Sequence, residues 1–168
     1  MSLYHTDWIE IDGNHIHPTA IIYPNVKLGK GNWIGAYTVI GSNGEIRDKN
    51  QRDFKGNVTI GDNNIISEHV TIQRPFEFRT TYIGDNNIIM AHSHIGHDAK
   101  IMNECEICTG SVIGGYCVIE NGVKIKLGST LRNRLRIGSN SLIGLGSTVV
   151  KNVGKNTTVY GNPAKPKN

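Results

Sequence analysis

The sequence predicts an all-β fold, a single solenoid of short strands joined by tight turns, and three observations carry that prediction. From Ile83 onward every sixth residue is aliphatic: Ile83, Ile89, Ile95, Ile101, Ile107, Ile113, Ile119, Ile125, Leu131, Ile137, Ile143 and Val149. Two residues before each lies a mostly small side chain: Thr81, Asn87, Ser93, Ala99, Cys105, Ser111, Cys117, Val123, Ser129, Leu135, Ser141 and Ser147. Glycine often follows the aliphatic position, at Gly84, Gly96, Gly114, Gly138 and Gly144. A helix repeats every ~3.6 residues and a strand every two, so a strict period of six requires a short strand, a sharp turn, and the same unit again. Each small and aliphatic pair is then one strand's inward face, filling a crowded interior.

The elements follow in chain order. The same period runs through Ile16, Ile22, Leu28, Ile34, Ile40 and Ile46, then Ile60, Ile66 and Ile72. Its phase breaks place one insertion at about residues 41–57 ("GSNGEIRDKNQRDFKGN") and another at about 74–81 ("RPFEFRTT"). Charged, irregular loops leaving a regular scaffold are where function concentrates. The "IGDNN" stretches from Ile60 and Ile83 read as turns, because Gly, Asn and Asp tolerate the left-handed backbone of sharp corners. No composition shift marks a second domain, so residues 1–168 are expected to form one.

Composition excludes several classes. Lys and Arg number 18 against 14 Asp and Glu, scattered apart from "LRNRLR" and the "KPKN" tail. That balance suits anionic small molecules or an acidic carrier better than nucleic acid. No apolar run is long enough to span a bilayer, and the N-terminus has no secretory pattern, so a cytoplasmic location is expected. Cys105, Cys108 and Cys117 include a C-x-x-C, yet without a second ligand pair or a thioredoxin-like context they read as buried thiols.

The chemistry concentrates in "MAHSHIGHDA", residues 90–99. With Ser93 and Ile95 inward, His92, His94 and His97 point outward, and His97 and Asp98 occupy a corner. One coil of 18 residues further on, Gly115 comes beside His97 and Tyr116 beside Asp98; Asn133 follows in the same column. A neutral imidazole can take a proton from a hydroxyl or amine while a carboxylate fixes its tautomer. A glycine above it leaves room for a thioester carbonyl and bares an N–H for an oxyanion.

The aliphatic-Gly-x-x-small unit resembles the hexapeptide-repeat transferases over residues 16–166. That resemblance implies a left-handed parallel β-helix with three hexads per coil, assembled as a homotrimer with clefts between subunits. "IGDNNIISEHVTIQR" and "IGDNNIIMAHSHIGHDAKI" are similar to segments of the UDP-N-acetylglucosamine O-acyltransferases of lipid A synthesis. Their H-x-x-H-D motif implies His97 as general base, Asp98 as its orienting partner and His94 as a substrate-binding residue. The resemblance places the oxyanion-hole glycine on Gly115 and a nucleotide-sugar-binding D-x-K on Asp53 and Lys55. "YGNPAKP", residues 160–166, resembles the way such helices end.

The chain departs from that family at several positions. Tyr116 stands where the family has a histidine; Arg132 and Asn133 stand for its His-Gln; "PFEFRTT" replaces a glycine-rich insertion. The sequence ends at Asn168, so the family's C-terminal helical domain is expected to be missing. Lys55, Arg74 and Arg132 are candidate contacts to nucleotide phosphates, with Tyr116 and Asn133 also expected to meet substrate.

The resulting expectation is an acyltransferase that moves an acyl group from acyl carrier protein or CoA to a hydroxyl of a UDP-N-acetylglucosamine-like nucleotide sugar, with no bound cofactor or metal. The alternative within the class is acetyl-CoA-dependent N-acetylation of a nucleotide-linked amino sugar. Two other classes rank below it. A zinc lyase like the γ-class carbonic anhydrases would use His92, His97 and His69, but the pair sits one residue out of phase for that. A non-catalytic β-helix would have little reason to keep His94, His97, Asp98 and Gly115 together. His5, His15 and His17 read as surface residues, and His69 as either cleft-lining or solvated. Trp8 and Trp33 read as covering an open end or an outer face.

Overall fold

The period of six works as an addressing rule: each step moves the chain to the next wall of a triangular coil, and each third step returns it to the same wall. In the computed structural model, which describes residues 8–45, 56–76 and 80–167, the described residues contain 23 short strands and no helix. They form three sheets of ten, six and seven strands. Ile66, Ile89, Ile107, Ile125 and Ile143 are register partners in one sheet. Ile72, Ile95, Ile113 and Leu131 are partners in the second, and Ile60, Ile83, Ile101, Ile119 and Ile137 in the third. The pairing is parallel throughout, apart from an antiparallel hairpin at each end of the first sheet. The architecture is the left-handed parallel β-helix.

The interior is the predicted one. Every aliphatic residue from Ile60 to Ile143 in these columns is at most 1% exposed, and the small partners from Thr81 to Ser147 at most 3%. Each buried aliphatic side chain contributes roughly 1.5–3 kcal/mol. Burial weakens in the first coil, where Ile22 and Leu28 are half-buried because they have a neighbouring coil on one side only. Four stacked asparagines form a buried polar ladder. Asn32 Nδ2 donates to Asn14 Oδ1, Asn64 Nδ2 to Asn32 Oδ1 and Asn87 Nδ2 to Asn64 Oδ1, each at 2.9–3.0 Å. Cys105 N–H closes it on Asn87 Oδ1. The three cysteines are free and buried, and burial pushes the Cys105 thiol up to about 11.

Two features depart from the sequence pattern. Val153 takes the place beneath Ile137 that counting by six assigns to residue 155, and Val159 pairs with Ile143 where residue 161 is expected. The last coil is thus shortened before the Thr158–Gly161 and Ala164–Pro166 hairpin covers the sheet edge. The corners use left-handed backbone at Asn63, Asn86 and Asn140, as the composition suggests, but also at Tyr37, His69, His92, Glu104, Tyr116 and Arg134. Non-glycine residues there cost roughly 1–2 kcal/mol each, offset by the ladder hydrogen bonds the corner makes possible.

Trp8 packs on Trp33 with ring centroids 4.3 Å apart, on an outer face. No described helix is long and apolar enough to cross a membrane. Both insertions leave from one corner, after the strands Val39–Ser42 and Thr71–Gln73 of the second sheet, in the column that His97 occupies one coil later.

Candidate active site

The strand His94–Ile95 lies between Thr71–Gln73 and Val112–Ile113. Because Ile95 fills the interior, the pleat sends His94 to the outer face. There its Nδ1 lies 2.7 Å from Thr71 Oγ1. Burial against the sheet lowers the His94 pKa, with Glu45 opposing the shift and His97 adding to it.

The next corner holds the dyad. Asp98 takes left-handed backbone at φ 60° and donates its N–H to Thr81 Oγ1 at 2.9 Å. Its side chain is 2% exposed, and its Oδ2 receives the Phe76 N–H at 3.1 Å and faces His97 Nδ1 at 3.0 Å. An ionised carboxylate only accepts, so the proton on neutral His97 sits on Nδ1 and Nε2 carries the lone pair.

One coil on, Gly115 passes directly over the ring. A Cβ at Gly115 would lie 2.6 Å from both Nε2 and Cε1 of His97, so glycine is what leaves this face open. The Gly115 N–H makes no hydrogen bond among the described residues. Asn133 stacks beyond, its Oδ1 2.4 Å from where a Gly114 Cβ would stand. His94, His97, Gly115 and Asn133 together line an open cavity of about 420 Å³, with Glu45, Gln73 and Val112 on its walls.

Aromatic rings hold His97 on two sides. The Phe76 ring lies 3.6 Å away between centroids, tilted 38°, and the Tyr116 ring meets it edge-on at 5.0 Å and 89°. Arg134 lies over Tyr116 with its guanidinium carbon 4.0 Å from the ring centre.

The remaining sequence candidates fall elsewhere. Arg132 is exposed at the corner beside Asn133 and is not among the residues lining this cavity. Arg74 is half-buried and its N–H donates to the Ser42 carbonyl at 2.9 Å, tying one insertion to the other. Asp53 and Lys55 lie outside the described residues. His69 and His92 belong to a different corner, stacked nearly parallel at 4.8 Å with Tyr37 beyond His69 at 5.2 Å. Stacked rings face one another instead of converging their nitrogens on a point, and no group of three or more metal-ligating side chains occurs among the described residues.

Sequence reasoning missed Gln73, Glu45 and Phe76. Gln73 Oε1 accepts the His97 N–H at 3.3 Å, and its signal was available: it follows Ile72 as Gly96 follows Ile95. Glu45 and Phe76 belong to the insertions, where no period assigns a direction.

Known proteins resemble this chain over most of its length. The bacterial transferase hexapeptide family (six repeats) matches residues 80–115. An acyl-[acyl-carrier-protein]–UDP-N-acetylglucosamine O-acyltransferase from Pseudomonas putida is 31% identical over 190 aligned positions, covering 90% of this chain and 73% of the relative. The chain belongs to that acyltransferase family. The relative from Pseudomonas paraeruginosa is 34% identical over 117 residues, and there the match spans 67% of this chain but only 45% of the relative's length. In structure, UDP-N-acetylglucosamine acyltransferase from Bacteroides fragilis superposes with a TM-score of 0.85 at 29% identity, over 92% of this chain and 60% of that one. The chain thus spans about half the length of the first relatives it matches.

Proposed function

We propose that the protein is an acyltransferase that moves an acyl group from a thioester donor to a hydroxyl of UDP-N-acetylglucosamine or a close nucleotide sugar, with His97 as general base. The observation that carries this reading is the His97 ring, bound through Nδ1 to buried Asp98 and presenting Nε2 to the open cavity beneath Gly115.

The acceptor hydroxyl gives its proton to His97 Nε2 as its oxygen attacks the thioester carbonyl. The negative charge that forms on the carbonyl oxygen is met by the Gly115 N–H. Collapse expels the thiolate, which recovers the proton from the imidazolium, leaving an ester and a free thiol. Asp98 stabilises the imidazolium in between without taking its proton. His94 and Asn133 line the acceptor's approach, and Tyr116, Arg132 and Arg74 are assigned to substrate at the margins; Asp53 and Lys55, outside the described residues, are assigned to the nucleotide sugar from the sequence.

Acyl carrier protein is the proposed donor carrier, in line with the relatives' names, and CoA the alternative. A homotrimer belongs to the same proposal. Exposed Ile21 and Val112 on the second sheet, and Ile65 and Ile88 on the first, are apolar side chains on flat outer faces that association would bury.

The test is thioester consumption with UDP-N-acetylglucosamine, comparing a 3-hydroxyacyl-loaded carrier protein with acetyl-CoA, and His97→Ala as control. Turnover reduced by about 10²- to 10⁴-fold in the variant supports the reading. No consumption of either donor, or turnover indifferent to His97→Ala, refutes it.

A further inference from the structure

From the described parts of the two insertions we infer that Phe76 is a positioning residue for this reaction and that Gly44 is what lets it work. The inference rests on His97 being the general base. Phe76 makes two separate contacts with the dyad: its N–H binds Asp98 Oδ2 at 3.1 Å, and its ring packs on the His97 ring at 3.6 Å. The main-chain bond shares with His97 a single carboxylate oxygen, which can accept both, and so helps set where that oxygen sits. The ring covers one face of the imidazole, while the Tyr116 edge closes another at 5.0 Å. Between them the imidazole has one placement, with Nε2 toward Gly115.

Gly44, from the other insertion, closes the stack from outside. A Cβ there would stand 2.6 Å from Phe76 Cε1, 3.1 Å from Cζ and 3.2 Å from His97 Cβ. The same glycine carries no positive φ, so alanine is conformationally acceptable, and what excludes it is the Phe76 ring. The Arg74 N–H on the Ser42 carbonyl joins the two loops beside this contact. Gly44 and Phe76, from the described ends of the two insertions, thus act as one clasp over the dyad. Half-buried Phe76 touches groups of the site and is not part of the aliphatic core.

The test is a double-mutant cycle with a spectroscopic readout. Phe76→Ala is expected to lower kcat roughly 10- to 100-fold, the scale set by misplacing a reacting group by about an ångström, with KM for the nucleotide sugar within about twofold. Phe76→Leu, which keeps an apolar cover, restores most of the rate. Gly44→Ala alone reproduces the loss by displacing the ring, and adding Gly44→Ala to Phe76→Ala costs less than a further twofold, because the ring it would strike is gone and only the 3.2 Å approach to His97 Cβ remains. In parallel, the ¹⁵N resonances of the His97 ring report one tautomer, protonated on Nδ1, in the parent and a mixture in Phe76→Ala. That readout requires no turnover and so separates the clasp from the choice of substrate. Additive losses in the double variant, or an unchanged tautomer signal, overturn the inference. If His97→Ala keeps full activity while the ¹⁵N signature responds to Phe76, the general-base reading fails and the clasp stands as a structural contact. Equal melting temperatures for the parent and Gly44→Ala exclude unfolding as the cause.

Discussion

Gly115→Ala is the sharpest perturbation of the proposed mechanism because it adds one methyl group at a place where the geometry allows none. The added carbon would lie 2.6 Å from His97 Nε2 and Cε1 and 3.0 Å from Cδ2. Ordinary carbon contacts settle near about 3.5 Å, so the ring must retreat by about 1 Å. It has little freedom to do so, with Phe76 packed against it and Nδ1 tied to Asp98. A displacement of that size costs about 100-fold in rate, or about 2.7 kcal/mol in the barrier. The backbone at 115 has no positive φ, so alanine adds no conformational strain and the Gly115 N–H stays in place. The expected result is a protein that remains folded at the assay temperature, with a melting temperature lowered by a few degrees at most and turnover near one hundredth of the parent, read as thioester consumption at saturating donor. Parent-like turnover in a folded variant would refute both the placement of Nε2 and its role.

Other consequences follow from the scaffold. Asn64→Ala breaks the polar ladder at its centre, removing the acceptor of the Asn87 N–H and Nδ2 and the donor to the Gly84 carbonyl. At about 1–3 kcal/mol per orphaned buried group, denaturant unfolding should show a loss of at least ~2 kcal/mol, and a smaller value means the neighbours re-pair. Ile107→Ala empties a fully buried position between Ile89 and Ile125 and should cost about 2–5 kcal/mol by the same measurement. His94 gives a pH prediction. Burial holds its folded pKa below the unfolded value of about 6.5, so near and below that pH the unfolded chain binds the extra proton first. Its contribution to stability is present above about pH 6.5 and lost as the pH falls toward the folded value. The melting temperature should therefore fall less between pH 7 and 5 in His94→Gln than in the parent, and identical slopes would remove His94 as the cause.

The repeat made the scaffold legible because one physical rule, an inward aliphatic residue on each wall, is enforced at every coil. Ile95 inward makes His94 outward and puts His97 at a corner, and adding one coil brings Gly115 over it. All of that follows from counting. Counting fails where the constraint relaxes. Val153 and Val159 sit two residues early because the last coil has no further coil to stay in register with. Tyr37, His69 and His92 take left-handed corners that composition assigns to Asn or Gly, because the ladder on either side outweighs the local preference.

The insertions show the same logic in reverse. They leave at a corner, so Ile40 still pairs with Ile72 and Ile72 with Ile95 across them, and the first departure is taken up by a bulge after Ile40, where Ser42 pairs with Gln73. Loop residues are then free of the interior's demands and can be chosen for the dyad they cover. That freedom is why Phe76 and Gly44 could not be assigned from spacing: no repeat dictates their direction, and only the packed structure brings them to His97. It also accounts for where the breaks in the period fall. A loop can reach His97 by leaving from the His97 corner one or two coils earlier, and both insertions do so.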